Sequence, residues 1–458
     1  MKTIAAIATP HGKGGVAIIR ISGDDAVSVA SKLFKPRSGI SVNEITSNKA
    51  VYGSFFDKDG VFDDGILTLF RAPRSYTGED TAELSGHGGV LVTKKLLEAA
   101  ITSGADYADA GEFTKRAFIN GKISLSQAEA VGGIIDAKSE KHLQISVLQS
   151  RGALSSRIKE ISDRLAYLAA SVYAYIDYPD EDLRDVSGEE MRKSLIAIRE
   201  DIIRLSGTHR YGQAISEGIN TVIVGKPNTG KSSVLNSLIG YDRAIVTDIE
   251  GTTRDIVTEQ VRLGDVLLNL SDTAGIRESD DPIESIGISK SRQSIKEAEL
   301  VLAVFDGSRE LDSWDTEILE QIKNAGKQDC TICLLNKSDL GLVVPRLPFG
   351  IQIVFSAADI KKSGRTVGRD ELEKAIEELF DQGEITSLGE VIIGARQYAA
   401  LSRAKSALDN AVKSLDGFTP DISGMDIEEA IACLGELDGR SASERVVNEI
   451  FSHFCVGK

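Results

Sequence analysis

Hydrophobic and polar residues follow three different patterns along this chain of 458 residues. Residues 1–120 combine short β-rich runs, such as Val16 to Ile21 and Gly65 to Phe70, with glycine turns, which predicts an α+β domain. Residues 121–215 change to long helices. One apolar stripe there recurs at the steps of a helix with a single buried face, and it comprises Leu154, Ile158, Ile161, Leu165, Leu168 and Val172.

Residues 216–383 alternate between β-branched apolar runs and helical segments, which is typical of a doubly wound α/β domain. Helical periodicity returns over residues 384–458, with apolar positions at Leu401, Ala404, Leu408, Val412 and Leu415. The simplest interpretation is one all-α domain, formed by residues 121–215 and 384–458, into which the α/β domain is inserted.

Composition narrows the class of protein. No apolar run reaches membrane-spanning length. The first residues, MKTIAAIATPHGKGG, contain too short an apolar stretch and too many glycines for a secretory signal. Four cysteines, Cys330, Cys333, Cys433 and Cys455, suggest a reducing compartment. We therefore expect a soluble cytoplasmic protein with no membrane partner. For the pair Cys330 and Cys333, ordinary buried cysteines are favoured over a redox or metal site.

The formal charge of −16 argues against a general nucleic-acid coat, because nonspecific binding depends on neutralising phosphates. Local basic faces remain, and a solvated helix surface is the interpretation favoured for most of them. They comprise Lys115, Arg116 and Lys122, and further along Lys138, Lys141, Arg151, Arg157 and Lys159.

The run Gly225 to Ser232 reads GKPNTGKS and has the spacing of a phosphate-binding loop. An apolar run, Asn220 to Val224, precedes it, and a run with helical periodicity, Ser233 to Ile239, follows it. Strand, glycine loop and helix together let backbone N–H groups surround a phosphate and let Ser232 hold magnesium. The residues expected to contact the nucleotide here are Asn228, Thr229, Gly230, Lys231, Ser232 and Ser233.

Three companion motifs indicate the base and the reaction. Thr252 and Thr253 lie in a glycine-containing loop suited to a switch that supplies a magnesium ligand. After the apolar run Val266 to Leu270 come Asp272, Thr273, Ala274 and Gly275, which suit water-mediated contact with magnesium and close approach to the terminal phosphate. After the run Thr331 to Leu335 come Asn336, Lys337, Ser338 and Asp339, whose last carboxylate can accept two hydrogen bonds from guanine. The four motifs predict a GTPase.

Two positions refine this prediction. Ile276 stands where Ras-like enzymes have a glutamine that orients the attacking water, so another residue must do so. The acidic segment Glu278 to Glu284 is the nearest supply. Asn228 could help to hold a monovalent cation near the phosphates, or it could only cap the turn. The residues alone leave both interpretations of Asn228 open.

The motifs outside the predicted GTPase domain resemble the tRNA modification GTPase MnmE (TrmE) family from end to end. The resembling blocks are Ala8-Thr9-Pro10 with Gly14-Gly15, Arg20 to Gly23 (RISG), Ser75 to Asp80 (SYTGED), Glu83 to Gly89 (ELSGHGG), Gly111 to Phe118 (GEFTKRAF) and Gln127 to Ala130 (QAEA). The most specific block is the final Cys455-Val456-Gly457-Lys458.

The resemblance implies a role for the N-terminal domain. It would dimerise and bind 5-formyl-tetrahydrofolate, or a related one-carbon folate, through Arg20, Glu83, Lys122 and Lys458. Glu83 would accept from the pterin edge, and the cations would bind the glutamate carboxylates. Cys455 would sit beside this site, either as a thiol that takes part in chemistry or as a small residue that positions the tail.

For the GTPase domain, the resemblance implies potassium on Asn228, Thr247, Ile249 and Thr252, and magnesium on Ser232 and Thr253. It makes Glu284 the catalytic carboxylate that orients water. Further nucleotide contacts implied by the resemblance are Asp248, Glu250, Gly251, Ser356, Ala357 and Ala358. Ala358 departs from the family pattern, because a lysine is expected there to cover the base.

The resemblance also implies a homodimer that works with a FAD-containing partner, GidA (MnmG), in a heterotetramer. Together they would add an aminomethyl-type group to C5 of the wobble uridine of certain tRNAs. The competing hypothesis is a regulatory GTPase that binds ribosomes without modification chemistry. Its mark would be an appended RNA-binding module such as a KH domain, and none is evident in the sequence.

Overall fold

The computed structural model describes residues 1–177, 188–239, 259–271, 292–357, 367–380, 387–416 and 420–457. The chain forms two compact units. The first comprises residues 1–132, 149–162 and 431–458, and the second comprises residues 133–148 and 163–430.

The first unit contains a mixed sheet with the order β3-β4-β5-β6-β2-β1-β7. Its strands are β1 (Ile4–Ile7), β2 (Val16–Ser22), β3 (Phe34–Pro36), β4 (Lys49–Asp57), β5 (Gly60–Phe70), β6 (Thr81–His87) and β7 (Asp106–Tyr107). Neighbouring strands are antiparallel except β1 and β7. Helices α1 (Ala26–Leu33) and α2 (Val90–Thr102) join the sheet in one hydrophobic core, and α3 (Glu112–Ile119) follows β7. The α+β prediction is confirmed.

Alternation along the strands gives this sheet two different faces, because successive side chains of a strand point to opposite sides. Ile19, Leu67 and Leu84 are fully buried in the core with α1 and α2. Val16, Tyr52 and Ile66 are exposed, although they are large and apolar. The sheet therefore keeps an apolar face that the described chain leaves open.

Long helices follow, as the periodicity predicts. They are α4 (Leu125–Asp136), α5 (Glu140–Ser150), α6 (Ala153–Asp177), α7 (Gly188–Gly207) and α8 (His209–Ser216). Every member of the predicted apolar stripe lies in α6 and is buried.

The second unit contains a sheet with the order β13-β12-β11-β8-β10-β9. Its strands are β8 (Ile219–Val224), β9 (Glu259–Leu263), β10 (Val266–Leu270), β11 (Leu300–Asp306), β12 (Thr331–Asn336) and β13 (Ile351–Val354). All neighbours are parallel except β9 and β10. Helices α9 (Lys231–Ile239), α10 (Ser313–Asn324) and α11 (Arg369–Phe380) accompany the sheet. The doubly wound α/β prediction is confirmed, and β8, β11 and β12 end at one edge of the sheet.

Helices return at α12 (Ala395–Asp416), α13 (Pro420–Asp438) and α14 (Glu444–Ser452). Leu401, Ala404 and Leu408 are buried, as the periodicity predicts. In the first unit, Val447 and Phe451 of α14 share a small core with Leu125 and Ala128 of α4. The C-terminal segment therefore packs against the protein as far as α14.

Helix α5 contacts the hairpin that β9 and β10 form. Ile145 of α5 is fully buried in the same core as Leu268 of β10. Lys138 Nζ donates to Gln260 Oε1 over 2.7 Å, and Lys141 Nζ lies 3.7 Å from Asp265 Oδ2 at the hairpin turn. The hairpin is thereby joined to α5 by both apolar and polar contacts.

Arg116 and Cys333 are both buried, so Arg116 is not a surface residue and Cys333 is not a reactive thiol. Arg116 is buried, and its guanidinium pairs with Glu79 at 3.0 Å and Glu112 at 2.7 Å, so the interpretation as a solvated face is wrong for this residue. Cys333 is buried in β12, and burial raises its pKa to about 12, which disfavours the reactive thiolate. The prediction of an ordinary buried cysteine is confirmed for Cys333.

Among the described residues, no helix is both long and apolar enough to cross a membrane.

Candidate functional site

The phosphate loop between β8 and α9 adopts a closed turn around Lys231. Lys231 Nζ donates to the carbonyl oxygens of Gly225 and Lys226 at 2.7 and 2.9 Å, and Thr229 Oγ1 donates to Lys226 O at 3.0 Å. A Cβ on Gly225 would lie 2.5 Å from Val304 O of β11, so a larger residue would displace the loop from the sheet. The loop is therefore held in shape by contacts within the protein.

Asn228 lies at the tip of this loop. Its φ of 64° is in the left-handed region, which asparagine tolerates better than most residues. Its side chain is exposed and has no hydrogen-bond partner among the described residues. This does not support the capping interpretation, and it leaves the carboxamide oxygen free for a ligand. Ser232 and Ser233 are exposed at the start of α9.

Asn336, at the end of β12, joins the two loops on either side of it. Its Nδ2 donates to Thr229 O at 2.9 Å, and its Oδ1 accepts from Ala357 N at 3.2 Å. Gly230 leaves the space for this contact, since a Cβ there would lie 2.2 Å from Asn336 Nδ2. The structure therefore brings the predicted phosphate and base motifs together.

Asp339 is exposed and oriented by a neighbour. Ser356 Oγ donates to Asp339 Oδ1 at 2.9 Å, which leaves the other carboxylate oxygen open to solvent. Lys337 Nζ donates to Asp306 Oδ2 at 2.7 Å at the end of β11. Burial acts to raise the pKa of Asp306, but hydrogen bonds from Lys337 and Ser308 outweigh it and hold the pKa below its usual value. Sequence reasoning missed Asp306, although its place at the end of an apolar strand was a usable signal.

The remaining predicted nucleotide and metal residues lie outside the described residues. They are Thr247, Asp248, Ile249, Glu250, Gly251, Thr252, Thr253, Asp272, Thr273, Ala274, Gly275, Glu284 and Ala358. Strand β10 ends at Leu270, as predicted, two residues before Asp272.

A second site forms on the N-terminal sheet. Arg20 of β2 and Glu83 of β6 are direct partners in the strand register, and Arg20 Nη2 lies 2.9 Å from Glu83 Oε1. The guanidinium carbon lies 5.7 Å from the centre of the Phe113 ring, a contact that sequence reasoning missed. Both charged side chains are about one fifth exposed, at 21% and 24%, so a ligand could reach them.

The C-terminal tail reaches this pair. Arg20 Nη1 donates to Gly457 O at 3.2 Å, and Val456 forms a β-bridge with Ala110. Gly457 has a φ of 101°, and a Cβ there would lie 2.1 Å from Ile7 O, so only glycine fits. The tail is therefore anchored as far as Gly457, and Lys458 lies outside the described residues.

Two further predicted residues occupy the surroundings. Cys455 is exposed, and its carbonyl accepts from Gly111 N at 3.4 Å. Lys122 is exposed, and its Nζ donates to Pro73 O at 2.9 Å, so this hydrogen bond is with that loop and not with the Arg20–Glu83 pair.

The phosphate loop on β8, together with the Asn336-to-Asp339 motif beside it, defines a P-loop GTPase domain. Two family descriptions match the chain: "GTP-binding protein TrmE N-terminus" over residues 3–122, and "MnmE helical domain" over residues 125–455.

Proteins described as tRNA modification GTPase MnmE are similar over the whole chain. That of Clostridioides difficile is 41% identical over 459 residues, covering 100% of this chain and 99% of the relative. Those of Thermoanaerobacter pseudethanolicus and Lactobacillus gasseri are each 40% identical, with 100% of this chain covered and 99% and 98% of the relatives. The chain belongs to the MnmE (TrmE) family of tRNA modification GTPases, and it is a GTP-hydrolysing enzyme.

Among solved structures, the G domain of the T. maritima FeoB iron transporter is similar at 20% identity, and the match covers 35% of this chain and 98% of the FeoB chain. The TM-score of 0.25 is too low to add to the description of the fold.

Asp339→Asn should change the nucleotide preference of the site from guanine to xanthine. The carboxylate can accept from two N–H groups of guanine, whereas an asparagine amide can accept one hydrogen bond and donate one to the 2-oxo group of xanthine. We expect the affinity for GDP to fall by about 100-fold or more, since two charge-assisted hydrogen bonds are affected. Competition between fluorescent GDP and unlabelled GDP or XDP measures this. Ser356→Ala is the control, with a loss of less than about tenfold; unchanged GDP affinity in Asp339→Asn would contradict the assignment.

Proposed function

We propose that this GTPase, with a FAD-containing partner of the GidA (MnmG) type, adds an aminomethyl-type group to C5 of the wobble uridine of certain tRNAs. The carbon would come from 5-formyl-tetrahydrofolate or a related folate. The observation that carries the proposal is that one chain holds both a phosphate-binding loop and the Arg20–Glu83 pair reached by its own tail. The tRNA modification named for its full-length relatives supports the choice of substrate.

The proposed organisation follows the sequence prediction. Residues 1–120 would form the folate-binding and dimerisation domain, residues 121–215 and 384–458 the helical domain, and residues 216–383 the inserted GTPase domain. These limits remain a prediction. Since tRNA is the proposed substrate, the proposed location is the cytoplasm.

For magnesium, the proposed ligands are Ser232 and Thr253. Ser232 follows Lys231 at the start of α9 and is exposed, which places it beside the phosphate-binding lysine. A magnesium ion would neutralise charge that develops on the phosphates. The chain's own part is to hold the phosphates with the loop N–H groups and Lys231.

For potassium, the proposed ligands are Asn228, Thr247, Ile249 and Thr252. The support from the structure is Asn228, which has a left-handed backbone at the loop tip and an exposed carboxamide that contacts no partner among the described residues. An oxygen donor of this kind suits a hard monovalent cation. Such a cation supplies positive charge near the phosphates, where the phosphate loop itself contains no arginine.

GTP hydrolysis should be at least about tenfold faster in potassium than in sodium at equal ionic strength, because the larger cation would complete the charge stabilisation at the phosphates. Phosphate release under saturating GTP measures the rates. Asn228→Ala should remove the difference between the salts. Asn220→Ala, which changes an exposed asparagine of β8 outside the loop, should preserve it. Equal rates in both salts for the unaltered protein would contradict the potassium proposal.

Glu284→Ala should lower kcat by about 100-fold while the affinity for GDP stays unchanged, because the proposed carboxylate acts on the attacking water only in the transition state. Single-turnover hydrolysis and a GDP titration separate the two quantities. The matched control is Glu278→Ala in the same acidic segment, for which we expect normal turnover. A Glu284→Ala enzyme with normal turnover would assign the water to another residue.

For the folate, the proposed contacts are Arg20, Glu83, Lys122 and Lys458. The partly exposed carboxylate of Glu83 can accept from a pterin edge, and the guanidinium of Arg20 can bind a carboxylate. The chain's own part is to orient the folate on the open face of the sheet. The exposed Val16, Tyr52 and Ile66 support a homodimer through the N-terminal domain, because a second copy would cover them.

Deleting Cys455 to Lys458 should weaken folate binding by about tenfold and abolish tRNA modification, because the contact of the tail with Arg20 is lost. GTP hydrolysis should persist. Folate calorimetry and mass spectrometry of wobble uridines, from cells lacking the gene and supplied with each variant, measure both effects. Cys455→Ser is the control: normal modification indicates that the tail positions ligand, and lost modification indicates thiol chemistry. Unaltered folate affinity in the deletion would remove the tail from the site.

A further inference from the structure

Lys226, the second residue of the phosphate loop, has a buried and charge-paired side chain. Its Nζ donates to Asp312 Oδ2 at 2.6 Å and to Asp315 Oδ2, at the start of α10. The side chains of Lys226 and Asp315 are only 5% and 3% exposed. Burial acts to lower the pKa of Lys226, but its hydrogen bonds to both carboxylates outweigh this, so the pKa is raised and the lysine stays charged.

The two carboxylates are themselves held in place. Asp312 is the N-cap of α10, and its Oδ1 accepts from Trp314 N at 3.0 Å and Asp315 N at 3.2 Å. Asp315 Oδ2 accepts in turn from Asp312 N at 3.1 Å. Asp315 Oδ1 is buried and has no hydrogen-bond partner among the described residues. Lys226 therefore provides the compensating charge for a rigid acidic pair.

The main chain of Lys226 belongs to the nucleotide site. Its carbonyl oxygen accepts from both Lys231 Nζ, at 2.9 Å, and Thr229 Oγ1, at 3.0 Å. Asn228, with its left-handed φ of 64°, lies between these residues in the turn. Any shift of Lys226 would therefore move the oxygen that orients the phosphate-binding lysine.

We propose that Lys226, held by Asp312 and Asp315, is a positioning residue that fixes the phosphate loop in its nucleotide-binding shape before the nucleotide arrives. Its side chain acts through its own carbonyl oxygen and through Lys231, without touching the nucleotide. Holding the loop in advance removes the ordering cost from the binding step, so the effect falls on nucleotide affinity. The proposal depends only on the GTPase class, and not on potassium, folate or tRNA.

We call the ion-paired cluster of Lys226, Asp312 and Asp315 the clamp. The test requires a variant that removes the clamp without leaving an unpaired buried charge. Lys226→Met alone would leave Asp315 buried and unpaired, which is strongly destabilising. Lys226→Met combined with Asp315→Asn removes both charges, while the asparagine oxygen can still accept from Asp312 N. We expect this double variant to raise the Kd for GDP and the KM for GTP by about tenfold, as for the loss of one hydrogen bond to a charged group. We expect kcat to change less than KM.

Two controls separate positioning from general stability. Lys226→Arg keeps a charged donor for both carboxylates, and its Kd for GDP should equal that of the unaltered protein. Arg199→Met removes the Arg199–Asp409 ion pair between α7 and α12, which lies outside the nucleotide site, and should leave the Kd unchanged. Melting temperatures of all variants measure stability, and titrations with fluorescent GDP measure the Kd.

The outcomes are distinct. A double variant that melts at a lower temperature but binds GDP normally would show that the clamp only stabilises the fold, and it would overturn the proposal. Should the double variant not fold, Asp312→Asn carries the test, since it weakens only the more exposed arm of the clamp. An increase in Kd of about threefold supports the proposal, and an unchanged Kd overturns it.

Discussion

The hydrogen bonds made by the Asn336 side chain are the constraint on which the nucleotide site depends. One amide group ties the phosphate loop, through Thr229 O, to the loop after β13, through Ala357 N. Both contacts require the parallel register of β8, β11 and β12, because that register brings the ends of these strands to one edge. Gly225 and Gly230 then allow the phosphate loop to approach β11 and Asn336 more closely than a side chain would permit. The nucleotide site is therefore formed by several loops that meet at the ends of β8, β11 and β12, and not by one loop alone.

The N-terminal site depends on a comparable close approach between segments that are distant in sequence. Gly457 contacts Arg20 and lies against Ile7, so the tail completes a surface that β2 and β6 begin. The buried network of Arg116 with Glu79 and Glu112 supports the same region of the unit, because it joins α3 to the loop before β6. Buried charges of this kind are retained when each one is paired.

Several strands of both sheets could be predicted from the sequence because hydrophobic periodicity is local. The run Val266 to Leu270 and the α6 stripe are found where the pattern places them. Motif spacing also identified Asn336 and the phosphate loop, since short loops at strand ends carry their own geometry. The register that pairs Arg20 with Glu83 could not be predicted, because strand pairing depends on contacts distant in sequence.

The Lys226 cluster shows the same limit for charged residues. A lysine in the phosphate loop and two aspartates after β11 look like exposed polar residues, and only the fold makes two of the three buried partners. The sequence likewise groups Arg116 with basic residues that mostly suit a solvated face, yet Arg116 is buried. Sequence periodicity reports which face of an element is apolar, but it does not report which charges will be enclosed.

The contact between α5 and the β9–β10 hairpin has a thermodynamic consequence. The segments with Thr252 and Thr253, and with Asp272, adjoin these strands in the sequence, and Ile145 shares a core with Leu268 of the hairpin. If nucleotide binding changes the free energy of this contact, then a ligand bound at α5 changes the affinity for the nucleotide, and linkage requires that the nucleotide change the affinity for that ligand by the same factor. Binding of a ligand at α5 would then be detectable as a shift in the dissociation constant of GDP.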